Sequence, residues 1–130
     1  MAGYPTDLRY TEQHEWLRAD GELVTFGITD VAADQLGAIG FIELPYAGEL
    51  FRPGAVLARM TSDTASATIR MPFLGQVNAV NQALADAPGL INSDPYGTGW
   101  ILRIEPGDRA EVDALMDAEA YAAFLSARQE

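Results

Sequence analysis

Short runs of alternating hydrophobic and polar residues, interrupted by glycine and proline, occupy most of the first 105 positions of this chain. Runs of this length and spacing predict short β-strands. Two pairs of runs predict hairpins. The first pair joins 14–18 to 23–28 through an Asp-Gly turn, and the second joins 55–61 to 67–71 through a polar tip at 62–66 that should face solvent.

The remaining pattern predicts three further strands and four short helices. The strands are 39–44, 76–80 and 99–104. A helix capped by Thr29 or Asp30 ends at Leu36, where Gly37 can take a positive φ. A brief helix covers 81–87, and two helices finish the chain, the second of them capped by Asp117. The pattern predicts a loop between Pro88 and Gly99.

These elements predict a mainly β fold with short helices, built as a small sandwich or flattened barrel whose apolar edge is covered by helices. A length of 130 residues fits one domain, spanning 1–130. We expect its β core at about 8–105 and its C-terminal helices at about 108–127.

The amino-acid composition excludes several cofactor linkages and argues against several classes of binding partner. The chain has 19 acidic residues, eight arginines, no lysine, no cysteine and a net charge of −11. Without lysine, no side chain can carry a lipoyl or biotinyl amide or a pyridoxal Schiff base, because a guanidinium stays protonated. The acidic balance argues against binding to nucleic acid or anionic membranes. No signal peptide and no membrane span is apparent, so we expect a cytoplasmic protein.

No catalytic or metal-binding set emerges from the residues. His14 is the only histidine, and packing or hydrogen bonding is the preferred interpretation of it. No Gly-x-Ser-x-Gly elbow surrounds a serine, and no Asp-x-Asp-x-Asp-Gly loop organises the acidic residues into a calcium site. We therefore expect no enzymatic activity and no metal. The acidic residues favour a face that docks a protein of complementary charge.

Several local motifs nevertheless occur in an order that resembles the glycine cleavage system H-protein family. In the first half they are 14–16 (His-Glu-Trp), 27–30 (Gly-Ile-Thr-Asp), 36–37 (Leu-Gly) and 43–45 (Glu-Leu-Pro). In the second half they are 80–81 (Val-Asn), 90–96 (Leu-Ile-Asn-Ser-Asp-Pro-Tyr), 99–100 (Gly-Trp) and the helix at 117–125. One such motif carries little weight, but this series covers the chain from Leu8 to Leu125.

The resemblance implies a lipoyl-domain fold, a barrel-sandwich hybrid of two small antiparallel sheets with a C-terminal helical segment. It also implies a shuttle without catalysis of its own. In the family a lipoyl group on a hairpin-tip lysine carries an aminomethyl group from the P protein to the T protein and is reoxidised by the L protein. With Pro72 and Gly75 as anchors, the family's Glu-Ser-x-Lys-Ala run falls on Thr61, Ser62, Asp63, Thr64 and Ala65. Thr64 thus stands where the family has its lysine.

Other positions also depart from the family pattern. Thr61 replaces a glutamate that helps modifying enzymes recognise the loop, and Asp63 replaces an apolar residue. Gln35 stands where several relatives carry histidine. In the family this position lies beside the cleft that shelters the lipoyl arm when the arm carries an aminomethyl group. The resemblance assigns Glu15 to the same cleft, which would be vestigial here. Changes at several positions favour a naturally diverged paralogue over a single engineered substitution.

We therefore predict an H-like protein without covalent lipoate, a non-catalytic docking or regulatory module for lipoate-dependent enzymes. Its predicted partner is the P, T or L protein or another enzyme that recognises lipoyl carriers. The alternative is a carrier that transfers aminomethyl groups with lipoamide held non-covalently near Glu15 and Gln35. A covalent tether gives lipoamide a high local concentration. Free lipoamide would need a high affinity for the protein to compensate for the loss of that concentration.

Overall fold

The computed structural model describes residues 7–128 of the chain. These residues contain nine strands and five helices. The strands are Arg9–Tyr10 (β1), Glu15–Asp20 (β2), Leu23–Ile28 (β3), Ile39–Glu43 (β4), Leu50–Phe51 (β5), Val56–Ser62 (β6), Ser66–Arg70 (β7), Gly75–Val80 (β8) and Leu102–Pro106 (β9). The helices are Asp30–Leu36 (α1), Ala83–Asp86 (α2), Leu90–Ser93 (α3), Arg109–Asp113 (α4) and Ala118–Arg128 (α5).

The strands form two antiparallel sheets. The first has six strands in the order β1-β2-β3-β9-β8-β5, and the second has three in the order β4-β6-β7. The predicted mainly β fold with two antiparallel sheets and short helices is therefore confirmed. The two-residue strands β1 and β5, at the edges of the larger sheet, were not predicted, because two residues are too few to show alternation.

Both predicted hairpins are present. In the first, β2 pairs with β3 from Glu15↔Ile28 to Asp20↔Leu23, and Gly21 has a φ of 63° in the turn. Glycine adopts this positive φ without the steric cost of a Cβ. In the second, β6 pairs with β7 and the strands meet at Thr61↔Ser66. The observed limits of both hairpins lie within one or two residues of the predicted ones.

Local capping fixes α1 as predicted. The Thr29 hydroxyl accepts a hydrogen bond from the Ala32 amide at 3.4 Å, and Gly37 ends the helix with a φ of 84°. Asp117 likewise accepts from the Ala120 amide at 2.8 Å, at the start of α5. These caps could be predicted from sequence because each involves residues within one turn of the helix.

The segment between Pro88 and Gly99 differs from the predicted loop, because it contains α3. The Asn92 side chain accepts from the Ile39 amide at 2.9 Å and donates to the Gly37 carbonyl at 2.8 Å. These bonds hold α3 against the end of α1 and the start of β4. The stabilising contacts come from more than 50 residues away in sequence, which a local pattern does not report.

A second, smaller core packs α5 against the first hairpin. It is formed by Leu8, Tyr10, Trp16 and Tyr121, all of them buried. The rings of Tyr10 and Tyr121 stack with their centroids 4.6 Å apart. The Tyr121 hydroxyl lies 2.8 Å from Nδ1 of His14 and 3.1 Å from the Thr29 hydroxyl. A buried tyrosine with its hydroxyl bonded in this way anchors the C-terminal helix.

We expect Gly27→Ala to destabilise the fold. Gly27 pairs with Trp16 across the first hairpin, and a Cβ at Gly27 would lie 2.6 Å from the indole ring. The indole cannot easily move, because its Nε1 donates to the Pro95 carbonyl at 2.9 Å. Overpacking of this kind costs about 1–3 kcal/mol. Urea denaturation measures the change in unfolding free energy.

Gly89→Ala is the matched control for this prediction. Gly89 has a φ of −63°, and a Cβ there meets no atom within 4 Å. Its unfolding free energy should stay within about 0.5 kcal/mol of the wild-type value. Equal stability of the two variants would contradict the packing of Trp16 on Gly27.

Candidate functional site

The tip of the second hairpin is a tight turn organised by Ser62. The Ser62 amide donates to the Ala65 carbonyl at 2.8 Å, and the Ser62 hydroxyl accepts from the Ala65 amide at 3.1 Å. The same hydroxyl donates to the Leu36 carbonyl at 2.6 Å, at the end of α1. Ser62 thus closes the turn and also fixes it to α1.

Asp63 and Thr64 occupy the apex of this turn, and both side chains are exposed. Thr61 is exposed as well, whereas Ser62 and Ala65 are half-buried. The Thr64 hydroxyl oxygen lies 3.8 Å from the position that a Cβ would take at Gly37. The hairpin tip therefore sits over the end of α1 while presenting its apex to solvent, as the polar tip predicted.

The chemical groups at this apex do not fit an amide-linked lipoyl group. That linkage requires a primary amine, and residues 63–65 offer a carboxylate, a hydroxyl and a methyl group. A neutral hydroxyl needs a neighbouring base to act as a nucleophile. The single histidine lies elsewhere, with its ring against Tyr121 and Phe124. The assignment of Thr64 to the position of the family's lysine stays a prediction.

Glu15 lies at the start of β2 and lines a cavity of about 410 Å³. Its side chain is 4 % exposed, and one carboxylate oxygen accepts from the Thr11 hydroxyl at 3.0 Å. Burial removes water from the carboxylate and raises the pKa of Glu15 to about 7, while the Thr11 hydrogen bond opposes that rise. Near neutral pH this carboxyl group is thus present in both its neutral and its charged form.

The backbone before β2 holds Glu15 in place. The Thr11 amide donates to the Glu15 carbonyl at 2.9 Å, and the Thr11 hydroxyl accepts from the Glu15 amide at 3.2 Å. His14 adopts a φ of 66°, which is uncommon for a residue other than glycine. Its ring nitrogen contacts Tyr121, so α5 supports the loop that orients Glu15.

Sequence reasoning missed several residues that share this cavity with Glu15. They are Gln13, Gly54, Thr68, Arg70, Met71 and Pro72. Thr68 and Arg70 are two residues apart on β7, so strand alternation places them on one face of the sheet. That alternation was available in the sequence, but nothing in it connected β7 with Glu15. Arg70 donates to the Gly54 carbonyl at 3.0 Å.

Gln35, the other residue predicted for the arm cleft, is exposed on α1. It is not among the residues that line the cavity beside Glu15. The structure therefore places one of the two predicted cleft residues at a defined cavity and the other on the exposed surface of α1.

Neither a metal-binding cluster nor a membrane-spanning helix is present in residues 7–128. No group of three or more His, Asp or Glu side chains there is placed to hold a metal ion. No helix in this range is long and apolar enough to cross a membrane.

We expect the stability of the protein to fall as pH rises from about 4.5 to about 7, and Glu15 to cause part of that fall. The pKa of Glu15 is higher in the folded protein than its ordinary value of 4.5. The folded state therefore keeps a proton that the unfolded state has lost, and deprotonation on the way to pH 7 disfavours folding. A shift in the pKa of Glu15 from 4.5 to about 7 corresponds to a change of about 3 kcal/mol at most in the free energy of unfolding.

Glu15→Gln should remove this contribution, so its unfolding free energy should vary less between pH 4.5 and pH 7.5 than that of the wild type. The exposed Glu22→Gln serves as a control and should keep the wild-type pH dependence. Parallel pH profiles for Glu15→Gln and wild type, measured by urea denaturation, would refute the assignment.

Comparison with known proteins identifies the family. The sequence profile described as glycine cleavage H-protein matches residues 8–128. The glycine cleavage system H protein of Magnetococcus marinus is 48 % identical over 121 residues, which cover 93 % of this chain and 86 % of that protein. The H protein of Anaeromyxobacter sp. strain K is 44 % identical over 125 residues, which cover 96 % of this chain and 98 % of that protein.

A solved structure agrees with the sequence relatives. The crystal structure of a glycine cleavage system H protein from Mycobacterium marinum superimposes with a TM-score of 0.85 at 35 % identity. The match covers 95 % of this chain and 99 % of that one. The resemblance inferred from the motifs is confirmed: the chain belongs to the glycine cleavage H-protein family.

Proposed function

We propose that this chain is an H-protein relative without a lipoyl arm, which docks on an enzyme that recognises lipoyl carriers and acts there as a non-catalytic regulatory or scaffolding module. The observation that carries the proposal is the apex of the second hairpin, where Thr64 lies in a chain that contains no lysine. The family's H proteins are carriers rather than catalysts, and they work with the P, T and L proteins.

The geometry of the hairpin supports docking without an arm. Ser62 closes the turn and bonds to Leu36, so the tip is held in place by its own hydrogen bonds. A surface that recognises this tip would find a preorganised shape whether or not an arm is attached. Preorganisation lowers the entropic cost of binding.

The charge of the chain supports a protein partner with a basic surface. At a net charge of −11, long-range attraction would speed the encounter with such a partner and weaken as salt rises. Among the family's partners, those with basic docking surfaces are the first candidates. A cytoplasmic location remains a prediction.

The rival proposal, a carrier that holds free lipoamide, is favoured by one observation. The cavity of about 410 Å³ beside Glu15 is open and combines a buried carboxyl group with the apolar side chains of Met71 and Pro72. Free lipoamide would need substantial affinity for this cavity to match a tether, whose effective concentration is about millimolar.

The first test is lipoylation. When co-expressed with lipoate ligase or with octanoyl transferase and lipoyl synthase, the wild-type chain should show no gain in intact mass, because it offers no ε-amine. A lysine-bearing H protein expressed in the same cells shows that the enzymes are active. A lipoyl adduct on the wild-type chain would overturn the proposal.

Matched variants separate the missing amine from the altered surroundings. Thr64→Lys restores the amine alone, and Thr61→Glu/Asp63→Val/Thr64→Lys also restores the residues that modifying enzymes recognise in the family. We expect the triple variant to be lipoylated more completely than the single variant.

The second test is docking. Purified P, T and L proteins are immobilised, and the affinities of the wild-type chain and of unmodified Thr64→Lys are measured by biolayer interferometry. At least one enzyme should bind both forms with affinities within about threefold, because residue 64 lies at an exposed apex and no arm is required. Failure of all three enzymes to bind the wild-type chain would contradict docking on the glycine cleavage system. Binding that appears only when dihydrolipoamide is added would favour the rival.

A further inference from the structure

Large exposed hydrophobic side chains gather at one edge of the six-stranded sheet. Residues 7–128 expose four such side chains, and three of them lie at or beside β5. Tyr46 is 79 % exposed, Leu50 is 67 % exposed and Leu74 is 41 % exposed. The fourth, Phe41, is 57 % exposed on β4 in the other sheet. We call the surface formed by Tyr46, Glu49, Leu50, Leu74 and Glu105 the β5 patch.

Backbone hydrogen bonds hold the β5 patch together. Tyr46 and Glu49 close one turn, in which the Glu49 amide donates to the Tyr46 carbonyl at 3.3 Å. The Val77 amide then donates to the Glu49 carbonyl at 2.8 Å, which fixes that turn to β8. The Gly107 amide donates to the Leu74 carbonyl at 2.8 Å. Leu50 and Leu74 line one cavity of about 240 Å³, together with Gly75, Gln76, Glu105, Pro106 and Gly107.

The pairing of the strands places the carboxylate of Glu105 at a defined distance from the side chain of Leu50. Leu50 is opposite Gln76, and Gln76 is opposite Glu105, so the three side chains form a row across β5, β8 and β9. All three are exposed. Leu50 and Glu105 are two strands apart, which is about 10 Å at the usual spacing of strands.

Charge decides which partner fits this surface. Glu105 lines the cavity of the β5 patch, and Glu49 adds a second carboxylate, one oxygen of which accepts from the Tyr46 amide at 2.8 Å. Arg52 is exposed two residues after Leu50, so the attraction of the β5 patch for cations comes from its two carboxylates together with the net charge of −11. A second copy of this acidic chain would bring like charges together, which disfavours association. A partner with a basic surface would instead find complementary charge.

We propose that the β5 patch docks a basic segment of a protein partner. One aliphatic side chain of that segment inserts between Leu50 and Leu74, and a lysine or arginine of the segment pairs with Glu105. This inference rests on the proposed docking function for the identity of the partner and adds a second docking surface, separate from the hairpin tip. Leu74 follows the base of the second hairpin, whereas Thr64 is at its tip, so binding here leaves the apex free.

The surface is tested first with a peptide. The ¹⁵N-labelled chain is titrated with a blocked peptide of alternating lysine and leucine, and amide chemical shifts are recorded. We expect saturable shift changes that cluster at 48–51, 74–76 and 105–107, and that weaken as salt rises. A blocked peptide of alternating glutamate and leucine should not produce them. The absence of this cluster, or its appearance with both peptides, would overturn the proposal.

Variants test whether the side chains of Leu50, Leu74 and Glu105 form the peptide-binding site. Leu50→Ser/Leu74→Ser should weaken peptide binding at least tenfold, and Glu105→Gln should weaken it about threefold with less dependence on salt. Phe41→Ser removes an equally exposed hydrophobic side chain outside the β5 patch and should bind like the wild type. Each variant is compared with the wild type by amide spectra, which report whether the fold is intact. Unchanged affinity in the folded double variant would refute the proposal.

The same variants, applied to immobilised P, T and L proteins, separate the two proposals. Loss of at least tenfold in affinity for the double variant, with Phe41→Ser unaffected, supports both. Equal binding of the wild type and the double variant overturns the β5 patch as the docking surface and leaves the docking function standing. If no enzyme binds the wild type, the docking function fails at these enzymes, and the peptide result alone decides whether the surface binds basic segments.

Discussion

The indole of Trp16 lies directly on the backbone of Gly27, and much of this fold depends on that contact. The ring occupies the space that a side chain would fill on the neighbouring strand, and its Nε1 bonds to the Pro95 carbonyl. It therefore joins the first hairpin to the segment that follows α3. Tyr10 and Tyr121 complete the same cluster, so the C-terminal helix packs on a surface that Trp16 has closed. The family motifs at 14–16, 90–96 and 117–125 all contribute residues to this cluster.

Hydrogen bonds of Ser62 give the tip of the second hairpin its shape. Ser62 bonds within the turn and to the end of α1, and neither interaction involves the side chain at the apex. The chemistry of the side chain at position 64 can therefore change while the hydrogen bonds that shape the turn persist. This separation of shape from chemistry is what makes a docking module without an arm physically reasonable in a family of carriers.

The cavity beside Glu15 and the β5 patch differ in how far they are exposed. The cavity beside Glu15 combines the apolar side chains of Met71 and Pro72 with a carboxyl group that burial keeps partly protonated near neutral pH. The β5 patch combines the exposed side chains of Tyr46, Leu50 and Leu74 with the carboxylates of Glu49 and Glu105. The first could accommodate a small molecule, whereas the second presents a broad exposed surface of the kind that proteins bind. A docking module needs the second more than the first.

The sequence by itself determined the two hairpins, the caps of α1 and α5, the resemblance to the family and the absence of lysine. Each depends on residue identity or on neighbours within a few positions, as with Thr29 and Gly37 around α1. Only the tertiary structure decided that α3 forms, that Arg70 shares a cavity with Glu15, and that Leu50 and Leu74 converge beside Glu105. Those features join residues from distant parts of the chain, and the pairing of strands that brings them together depends on how the whole core packs.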